Sequence, residues 1–189
     1  MTFKWINASD ISQDILNKFS SGSPEYDNYL HENHRIWAAN GEGVTYVAVL
    51  EDDYPDIDRV HAFCVINATG LMLDREDEQV EYLSCCEIRL FAISKTLRGQ
   101  CDEYGERYSI NLFKSFLQDL YQMSTSLIGF RAIYLNSNDD GYHLYTDDRI
   151  GFMEPRGFIP ATDEEKLDIE GCKPLLFFLD DDGVYKLFE

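Results

Sequence analysis

The chain has 189 residues, and its 16 lysines and arginines stand against 35 aspartates and glutamates, which gives a formal net charge of −19 at neutral pH. This length predicts one domain, residues 1–189, that buries a core without disulfide or metal staples. Apolar residues make up 44% of the chain and aromatic residues 14%, and this content excludes a natively disordered acidic protein.

The same charge constrains the partners. Affinity for nucleic acids and for anionic membranes comes largely from lysine and arginine, so an excess of carboxylates argues against both. It favours cationic partners such as polyamines, basic peptides and amine substrates. No stretch approaches the roughly 20 apolar residues of a membrane span, and residues 1–5 lack the apolar region of a signal peptide. The sequence therefore predicts a cytoplasmic protein.

Cysteine, histidine and carboxylate spacing gives no metal site. His31 and His34 lie three residues apart without a third ligand, which predicts a capping or exposed role. The acidic stretches 51–58 and 74–81 lack the alternating ligand pattern of a calcium loop. The cysteines also lack metal-ligand spacing, which predicts reduced, buried thiols. They are Cys64, Cys85, Cys86, Cys101 and Cys172.

The first forty residues predict two helices. Ser9-Asp10 has the residue types of an N-cap and precedes apolar residues that share one helical face. Ser23 predicts the cap of a second helix, with Pro24 in its first turn. This second helix ends at the glycine-bearing segment 40–43. The apolar face of the first helix consists of Ile11, Ile15, Leu16 and Phe19.

After residue 43 the apolar period changes from 3.6 to 2, which predicts strands. Strands 44–50 and 60–73 flank an acidic hairpin loop at 51–58. A charged loop follows at 74–81. The remaining predicted elements, in chain order, are strand 86–93, helix 106–123, strand 129–136, helix 139–148 and strands 150–153, 174–179 and 184–188.

This order of elements indicates where the chemistry lies. A strand, a glycine-bearing loop, a long helix and a second strand imply a parallel crossover inside a mixed sheet. Such sheets bind ligands in the crevice beyond their strand ends. The functional residues are therefore predicted between residues 86 and 152.

Three segments of that stretch, in order, resemble the GCN5-related N-acetyltransferase (GNAT) family, whose members use acetyl-CoA. Residues 86–94, followed by 97–99, resemble the fourth strand and the start of the pyrophosphate loop. Residues 129–135 resemble the fifth strand, which splays from the fourth to admit the cofactor. A Leu-Tyr pair at 144–145 before a Gly-Phe pair at 151–152 resembles the late signature of the family.

The resemblance implies a fold as well as a cofactor. The expected α/β fold is the GNAT-like acyl-CoA N-acyltransferase fold. Its twisted sheet is mostly antiparallel, with a parallel central pair and helices on both faces. Acetyl-CoA is the implied co-substrate.

The pyrophosphate loop departs from the family pattern. The family packs an arginine and two or three glycines into about six residues, so that backbone N–H groups cradle the pyrophosphate. Here Arg98-Gly99 is followed by Asp102 and Glu103 before the next glycine, Gly105. Two carboxylates beside a phosphate site oppose an anionic ligand, unless the insertion loops outward and Gly105 with Arg107 resumes the cradle.

The resemblance also implies site residues. Glu87 takes the position of the glutamate that deprotonates the amine, and Tyr145 that of the general acid for the coenzyme A sulfur. The structural alternatives are a carboxylate paired with Arg89 and a core tyrosine, and Tyr142 and His143 are neighbouring substitutes for Tyr145. The implied cofactor-binding residues are Phe91, Ala92, Ile93, Arg98, Gly99, Gly105, Arg107 and Asn136.

The implied activity is acetyl transfer to a primary amine, either a small cationic amine or a protein amine, by direct attack in a ternary complex. One alternative is toxin-like acetylation of aminoacyl-tRNA, because residues 19–30 resemble the opening segment of a GNAT subgroup that includes such toxins. The net charge of −19 argues against this alternative. A second alternative is a GNAT-like binding or regulatory module that has lost catalysis. A homodimer is compatible with each of them.

Overall fold

The computed structural model describes residues 1–74, 80–155, 158–160 and 171–180. The α-helices are α1 Gln13–Leu16, α2 Pro24–Asn28, α3 His34–Asn40, α4 Tyr108–Ser126 and α5 Asp139–Tyr145, and a π-helical segment Tyr29–Asn33 joins α2 to α3. The strands are β1 Phe3–Asn7, β2 Val44–Leu50, β3 Ala62–Asp74, β4 Val80–Ile93, β5 Ala132–Asn138, β6 Phe158–Pro160 and β7 Cys172–Phe178.

The described strands form one mixed sheet. Its order is β1-β2-β3-β4-β5-β7, and β6 pairs with β3. Strands β4 and β5 are parallel, whereas the pairs β1–β2, β2–β3, β3–β6 and β5–β7 are antiparallel. Helix α4 lies between β4 and β5 in the chain and provides the crossover that a parallel pair requires. The predicted mixed sheet with a parallel pair is confirmed.

The chain divides into two compact units. The first comprises residues 1–67 and 89–116, and the second comprises residues 68–88 and 117 onward. That residues 1–189 act as one domain stays a prediction. Among the described residues, no helix is long and apolar enough to cross a membrane.

Aromatic side chains organise the core of the first unit. Phe63 is fully buried, with the ring of Phe19 in edge contact at 5.4 Å and that of Tyr29 stacked at 5.8 Å. Burying a side chain of this size contributes about 1.5–3 kcal/mol. The buried Tyr29 hydroxyl hydrogen-bonds the Thr45 hydroxyl at 2.7 Å, and the burial raises the pKa of Tyr29. This core anchors α1 and α2 on the sheet.

The second unit has its own apolar cluster. Side chains from β3, β4, β5 and β7 meet on one face of the sheet, where successive strand residues alternate between faces. The cluster consists of Leu71, Leu83, Cys85, Ala132, Tyr134 and Leu176, with Phe178 packed against it.

Two predicted helix starts have different outcomes. Ser23 occupies the N-cap position of α2 with Pro24 in the first turn, as predicted, but the Ser23 side chain makes no capping hydrogen bond. The helical stretch ends at Gly41, whose φ of 74° suits the left-handed C-cap. The cap at Ser9-Asp10 is wrong. These residues lie in a 3₁₀ turn that Asn7 caps by accepting a hydrogen bond from the Ser9 amide. Helix α1 begins only after Ser12.

The predicted strand 150–153 is also wrong. The amides of Ile150 and Gly151 both donate to the Asp147 carbonyl at 2.8 Å, which forms a turn. Gly151 has φ of 87°, a left-handed conformation that interrupts extended structure. Only Met153 pairs with the sheet, in an isolated bridge to Leu176.

Other boundaries shift. Strand β4 begins at Val80 rather than at residue 86, so the end of the predicted charged loop belongs to this strand. Residues 75–79 of that loop and the predicted strand 184–188 lie outside the described residues. Three cysteines are buried as predicted, whereas Cys101 is exposed and Cys172 is half-buried.

Candidate active site

The parallel ladder between β4 and β5 is short. It contains four residue pairs, from Cys85–Ala132 to Ile88–Leu135. Strand β4 continues to Ile93, and β5 continues to Asn138 while it stays paired with β7. The ladder therefore ends before either strand does. The last five residues of β4, 89–93, therefore lie beyond the ladder. In a sheet, backbone groups at such positions are normally paired with the neighbouring strand.

Glu87 lies one residue before the end of this ladder, half-buried and in register with Tyr134 of β5. Partners in register share a face of the sheet, and so do residues two apart on one strand. Glu87, Tyr134 and Asn136 are consequently on one face. The Tyr134 hydroxyl donates to Asn136 Oδ1 at 2.9 Å. This bond occupies the amide oxygen of Asn136 and leaves its two N–H donors.

Tyr145 is the last residue of α5, which follows β5 directly. Asn138 caps this helix by accepting a hydrogen bond from the Gly141 amide at 2.9 Å. The half-buried Tyr145 ring lies so close to Gly141 that a Cβ at that position would be 2.9 Å from Tyr145 Cε2. The ring also contacts Phe152, with centroids 6.3 Å apart. The Phe152 amide donates to the Tyr145 carbonyl at 3.1 Å.

Glu87 and Tyr145 are associated with opposite faces of the sheet. Phe152, which contacts Tyr145, packs on Phe177 with ring centroids 5.4 Å apart. Phe177 pairs with Ile133, the residue next to Tyr134 on β5. Side chains alternate along a strand, so Phe177 leaves the sheet on the face opposite to Glu87.

The neighbouring cysteines are unsuited to nucleophilic catalysis. Burial raises the pKa of Cys85 to about 12 and that of Cys86 to about 12. Both thiols are therefore protonated at neutral pH, whereas a nucleophilic cysteine reacts as the thiolate. The site favours direct transfer over a covalent cysteine intermediate.

The segment after β4 begins with a turn. The Arg98 amide donates to the Ser94 carbonyl at 3.2 Å, and the Arg98 side chain is exposed. Gly99 has φ of 73°, a conformation that favours glycine. An exposed guanidinium beside a left-handed glycine is available to an anionic ligand.

The carboxylate insertion folds back on itself. Cys101 and Arg107 form an antiparallel bridge across its base. Asp102 Oδ1 accepts hydrogen bonds from the Tyr104 and Glu106 amides, each at 2.9 Å. The Asn111 side chain on α4 donates to Asp102 Oδ2 at 2.9 Å. The Asp102 carboxylate thus accepts hydrogen bonds from its own loop and from α4.

Hydrogen bonding determines the protonation of Asp102. Desolvation raises the pKa of Asp102, but the hydrogen bonds from Glu106, Tyr104 and Asn111 outweigh it, and the pKa lies below its usual range. Two backbone amides of the segment that could contact a phosphate after the insertion already make hydrogen bonds. The Gly105 amide donates to the Asp102 carbonyl at 3.1 Å, and the Glu106 amide donates to the Asp102 side chain. A phosphate contact here depends on the exposed Arg107 side chain.

The candidate residues fall in both units. Glu87, Asn136 and Tyr145 belong to the second unit. The other candidates belong to the first unit; they are Phe91, Ala92, Ile93, Arg98, Gly99, Gly105 and Arg107. Tyr134, whose hydroxyl donates to Asn136, is not among the candidates from the sequence, because its place beside Glu87 depends on the register of β4 and β5.

His31 and His34, which the sequence predicts to be capping or exposed, differ in their surroundings. His31 Nε2 lies 3.0 Å from the Phe19 carbonyl, as expected for a capping role, whereas His34 is buried. In the part of the chain that the structure describes, no group of three or more histidine, cysteine or acidic side chains is arranged to hold a metal ion.

No protein-family model matches the chain, and no curated protein matches it. Solved structures, in contrast, match the chain. One described as a bacterial toxin has 15% identity and a TM-score of 0.69, covering 100% of this chain and 96% of its own. AtaT complexed with acetyl-methionyl-tRNAfMet has 13% identity and a TM-score of 0.68, covering 100% of both chains.

A third similar structure is the KacTA–DNA complex, with 18% identity, a TM-score of 0.64 and coverage of 99% of this chain and 98% of that chain. At such identities the likeness concerns the fold. It extends over nearly the whole of each chain.

Proposed function

Because the chain has the fold of AtaT, which is described in complex with acetyl-methionyl-tRNAfMet and, as AtaTR, bound with AcCoA, we propose that it transfers an acetyl group from acetyl-CoA to a primary amine. The observation that carries the proposal is the early end of the β4–β5 ladder, with Glu87 next to that end and with β4 continuing beyond it to Ile93.

The proposed reaction is a direct attack. The amine nitrogen forms a bond to the thioester carbonyl carbon, and the carbon–sulfur bond breaks. Glu87 accepts the proton that the amine loses, and Tyr145 donates a proton to the departing thiolate. A tyrosine suits the second role because it is protonated at neutral pH and donates one hydrogen bond.

The remaining residues hold the co-substrate in this proposal. The backbone of Phe91, Ala92 and Ile93, beyond the ladder, pairs with the pantetheine arm and donates to the carbonyl oxygen as negative charge develops on it. The side chain of Arg98 and the backbone at Gly99 contact the phosphates. Gly105, Arg107 and Asn136 supply additional contacts.

The comparisons favour the amino group of an aminoacyl-tRNA as the acceptor. AtaT is described in complex with acetyl-methionyl-tRNAfMet, and KacTA in complex with DNA. The expectation against a nucleic-acid partner therefore finds no support among these neighbours. Any tRNA contact on a chain of net charge −19 must use a local group of cations, because phosphate binding depends on lysine and arginine.

A small cationic amine or a peptide amine is the second candidate acceptor, and the acidic composition favours it. A cytoplasmic location and a homodimer remain part of the proposal. The alternative of a binding module without catalysis predicts that acetyl-CoA does not bind.

Calorimetric titration with acetyl-CoA, followed by an acceptor assay with radiolabelled acetyl-CoA, tests the proposal. Saturable acetyl-CoA binding and label on methionyl-tRNA are expected. Label on spermidine or a lysine-rich peptide, and none on aminoacyl-tRNA, would identify the second candidate. Absence of acetyl-CoA binding by the folded chain would reject the acetyltransferase proposal in favour of the binding module.

A further inference from the structure

A hydrogen-bond cluster joins α2 to the segment that precedes it. Asp27, on α2, is half-buried. Its Oδ1 atom accepts hydrogen bonds from the Ser21 amide and from the Ser21 hydroxyl, each at 2.6 Å. Its Oδ2 atom accepts one from the Ser20 hydroxyl at 3.1 Å. Three donors from two consecutive residues therefore converge on one carboxylate and fix the conformation of segment 20–21.

The Asp27 carboxylate is ionised in this cluster. Desolvation raises the pKa of Asp27, but the hydrogen bonds from Ser21 and Ser20 outweigh it, and the pKa lies below its ordinary value. Hydrogen bonds to an ionised acceptor are roughly twice as strong as those between neutral groups. Ser21 is also fully buried, so these bonds are shielded from water. The cluster therefore holds segment 20–21 more firmly than a neutral side chain would.

The same segment holds the turn after β4. The Ser20 carbonyl accepts a hydrogen bond from the Lys95 amide at 2.8 Å. The preceding amide, that of Ser94, donates to the His61 carbonyl at 2.7 Å. Two consecutive amides at the start of this turn are thus bonded to two separate segments of the first unit.

Arg98 takes its position from this turn. Its amide donates to the Ser94 carbonyl at 3.2 Å. Its side chain lies beside the segment that precedes α2, because a Cβ placed on Gly22 would be 4.0 Å from Arg98 Nη1 and 4.0 Å from Lys95 Cβ. The backbone and the side chain of Arg98 therefore both depend on where segment 20–22 is held.

We propose that Asp27 is a positioning residue for acetyl-CoA, which acts through Ser20 to fix the turn at 94–98 and so places Arg98 for the phosphates. The inference rests on the proposed function, in which Arg98 contacts these phosphates. Asp27 acts through the backbone and not by contact with the phosphates, which its own charge would repel. A turn that is ordered before binding lowers the entropic cost of association. Asp27 thus contributes to affinity and not to the chemical step.

Asp27→Ala, which removes the acceptor for all three hydrogen bonds, tests this inference. We expect the affinity for acetyl-CoA to fall by about tenfold, because the turn is no longer fixed before binding. The kcat at saturating acetyl-CoA and the KM for the amine acceptor should each change by less than about twofold. Calorimetry and steady-state kinetics measure these quantities. An unchanged affinity for acetyl-CoA, with or without a fall in kcat, would overturn the inference.

Two further variants keep the test specific. Asp27→Asn keeps one oxygen that can accept from Ser21 but loses the acceptor for the Ser20 hydroxyl, so its affinity should lie between those of Asp27→Ala and the unaltered chain. Asp14→Ala removes the same charge from an exposed position on α1 and should change the affinity by less than about twofold. Equal weakening by Asp27→Ala and Asp14→Ala would contradict the positioning role. If Asp27→Ala does not fold, unaltered affinity in Asp27→Asn overturns it.

Hydrogen exchange supplies a readout without acetyl-CoA. Exchange at the Lys95 amide should accelerate in Asp27→Ala, while exchange in the centre of β2 stays slow. If the unaltered chain binds acetyl-CoA and Asp27→Ala leaves both the Lys95 exchange and the affinity unchanged, this inference alone is rejected. If the unaltered chain does not bind acetyl-CoA, the proposed enzymatic function is rejected and this inference with it.

Discussion

The Tyr145 hydroxyl is the group through which the thiolate gains its proton in the proposed reaction. Removing this hydroxyl by Tyr145→Phe should lower kcat by about 10²-fold, the usual contribution of general acid catalysis. The affinity for acetyl-CoA should change little, because the ring contact with Phe152 remains. Steady-state kinetics and calorimetry measure the two effects.

Tyr54→Phe is the matched control for this change. Tyr54 is an exposed tyrosine whose ring receives the Lys4 ammonium at 3.9 Å, and it belongs to no candidate site. Its substitution should leave kcat unchanged. Equal kcat for the Tyr145→Phe and unaltered enzymes would remove Tyr145 from the mechanism.

Glu87 is the proposed base, and its substitution should alter the pH profile. Glu87→Gln keeps the size of the side chain but replaces one acceptor oxygen with an NH₂ donor, so it cannot accept the amine proton. We expect kcat/KM at neutral pH to fall by about 10²-fold or more, and the limb of the profile due to the carboxylate to disappear. Glu25→Gln, at an exposed position on α2, serves as control. An unchanged profile would place the base elsewhere.

At the scale of elements, the insertion loop depends on one carboxylate. Asp102→Ala removes the acceptor for the Tyr104 and Glu106 amides and for Asn111. Hydrogen exchange at those two amides should therefore accelerate, while exchange in the centre of α4 stays slow. Mass spectrometry of exchange measures both. Equal protection in Asp102→Ala would show that the Cys101–Arg107 bridge closes the loop unaided.

The same loop has a predictable pH dependence. The folded-state pKa of Asp102 lies below its ordinary value, so its contribution is fully present above the ordinary aspartate pKa. It is lost as the pH falls through the folded pKa. Protection of the Tyr104 and Glu106 amides should decline over this acidic range and not between pH 6 and 8.

Local patterns in the sequence explain which elements were predictable. The boundaries of β2, residues 44–50, are confirmed because apolar alternation and the flanking Gly43 act locally. Strand β1 was missed, since its burial depends on pairing with β2, forty residues away. The strand predicted at 150–153 failed because Asp147 turns the chain there.

In the candidate site, too, residues in local motifs could be named from the sequence, whereas contacts between distant residues could not. The positions of Glu87 and Tyr145 came from ordered motifs along the chain. Tyr134 could not be found from motifs, because its place beside Glu87 depends on the register of two parallel strands. The fold of the insertion likewise depends on a contact between Asp102 and Asn111 across nine residues.

For the whole molecule, the two proposed acceptors rest on different grounds. The net charge of −19 repels phosphates at long range, whereas AtaT, which shares the fold, is described with acetyl-methionyl-tRNAfMet. Screening acts over about 8 Å at physiological salt. A cluster of cations a few ångströms from the ligand can therefore outweigh the distant carboxylates. Overall charge is for this reason a weaker guide to the partner than the local surface.

The stability of the molecule should fall in mild acid because of a buried histidine. His34 is 4% exposed, and within the part of the chain that the structure describes neither ring nitrogen has a hydrogen-bond partner of good geometry. Burial lowers the pKa of His34, and the nearby Leu30 carbonyl opposes this only in part. The unfolded chain therefore binds a proton more readily than the folded chain does, and each unit of difference in pKa corresponds to about 1.4 kcal/mol.

The sign of this effect defines the experiment. Stability from neutral His34 is fully present above about pH 6.5, the ordinary histidine pKa, and is lost as the pH falls through the lower folded value. Urea unfolding between pH 8 and pH 5 should show this decline. His34→Phe, which cannot be protonated, should show a smaller decline, whereas His143→Phe, at an exposed position on α5, should behave like the unaltered chain. A decline of the same size in His34→Phe would assign the acid sensitivity to other groups, with the buried His61 the first to test by the same substitution.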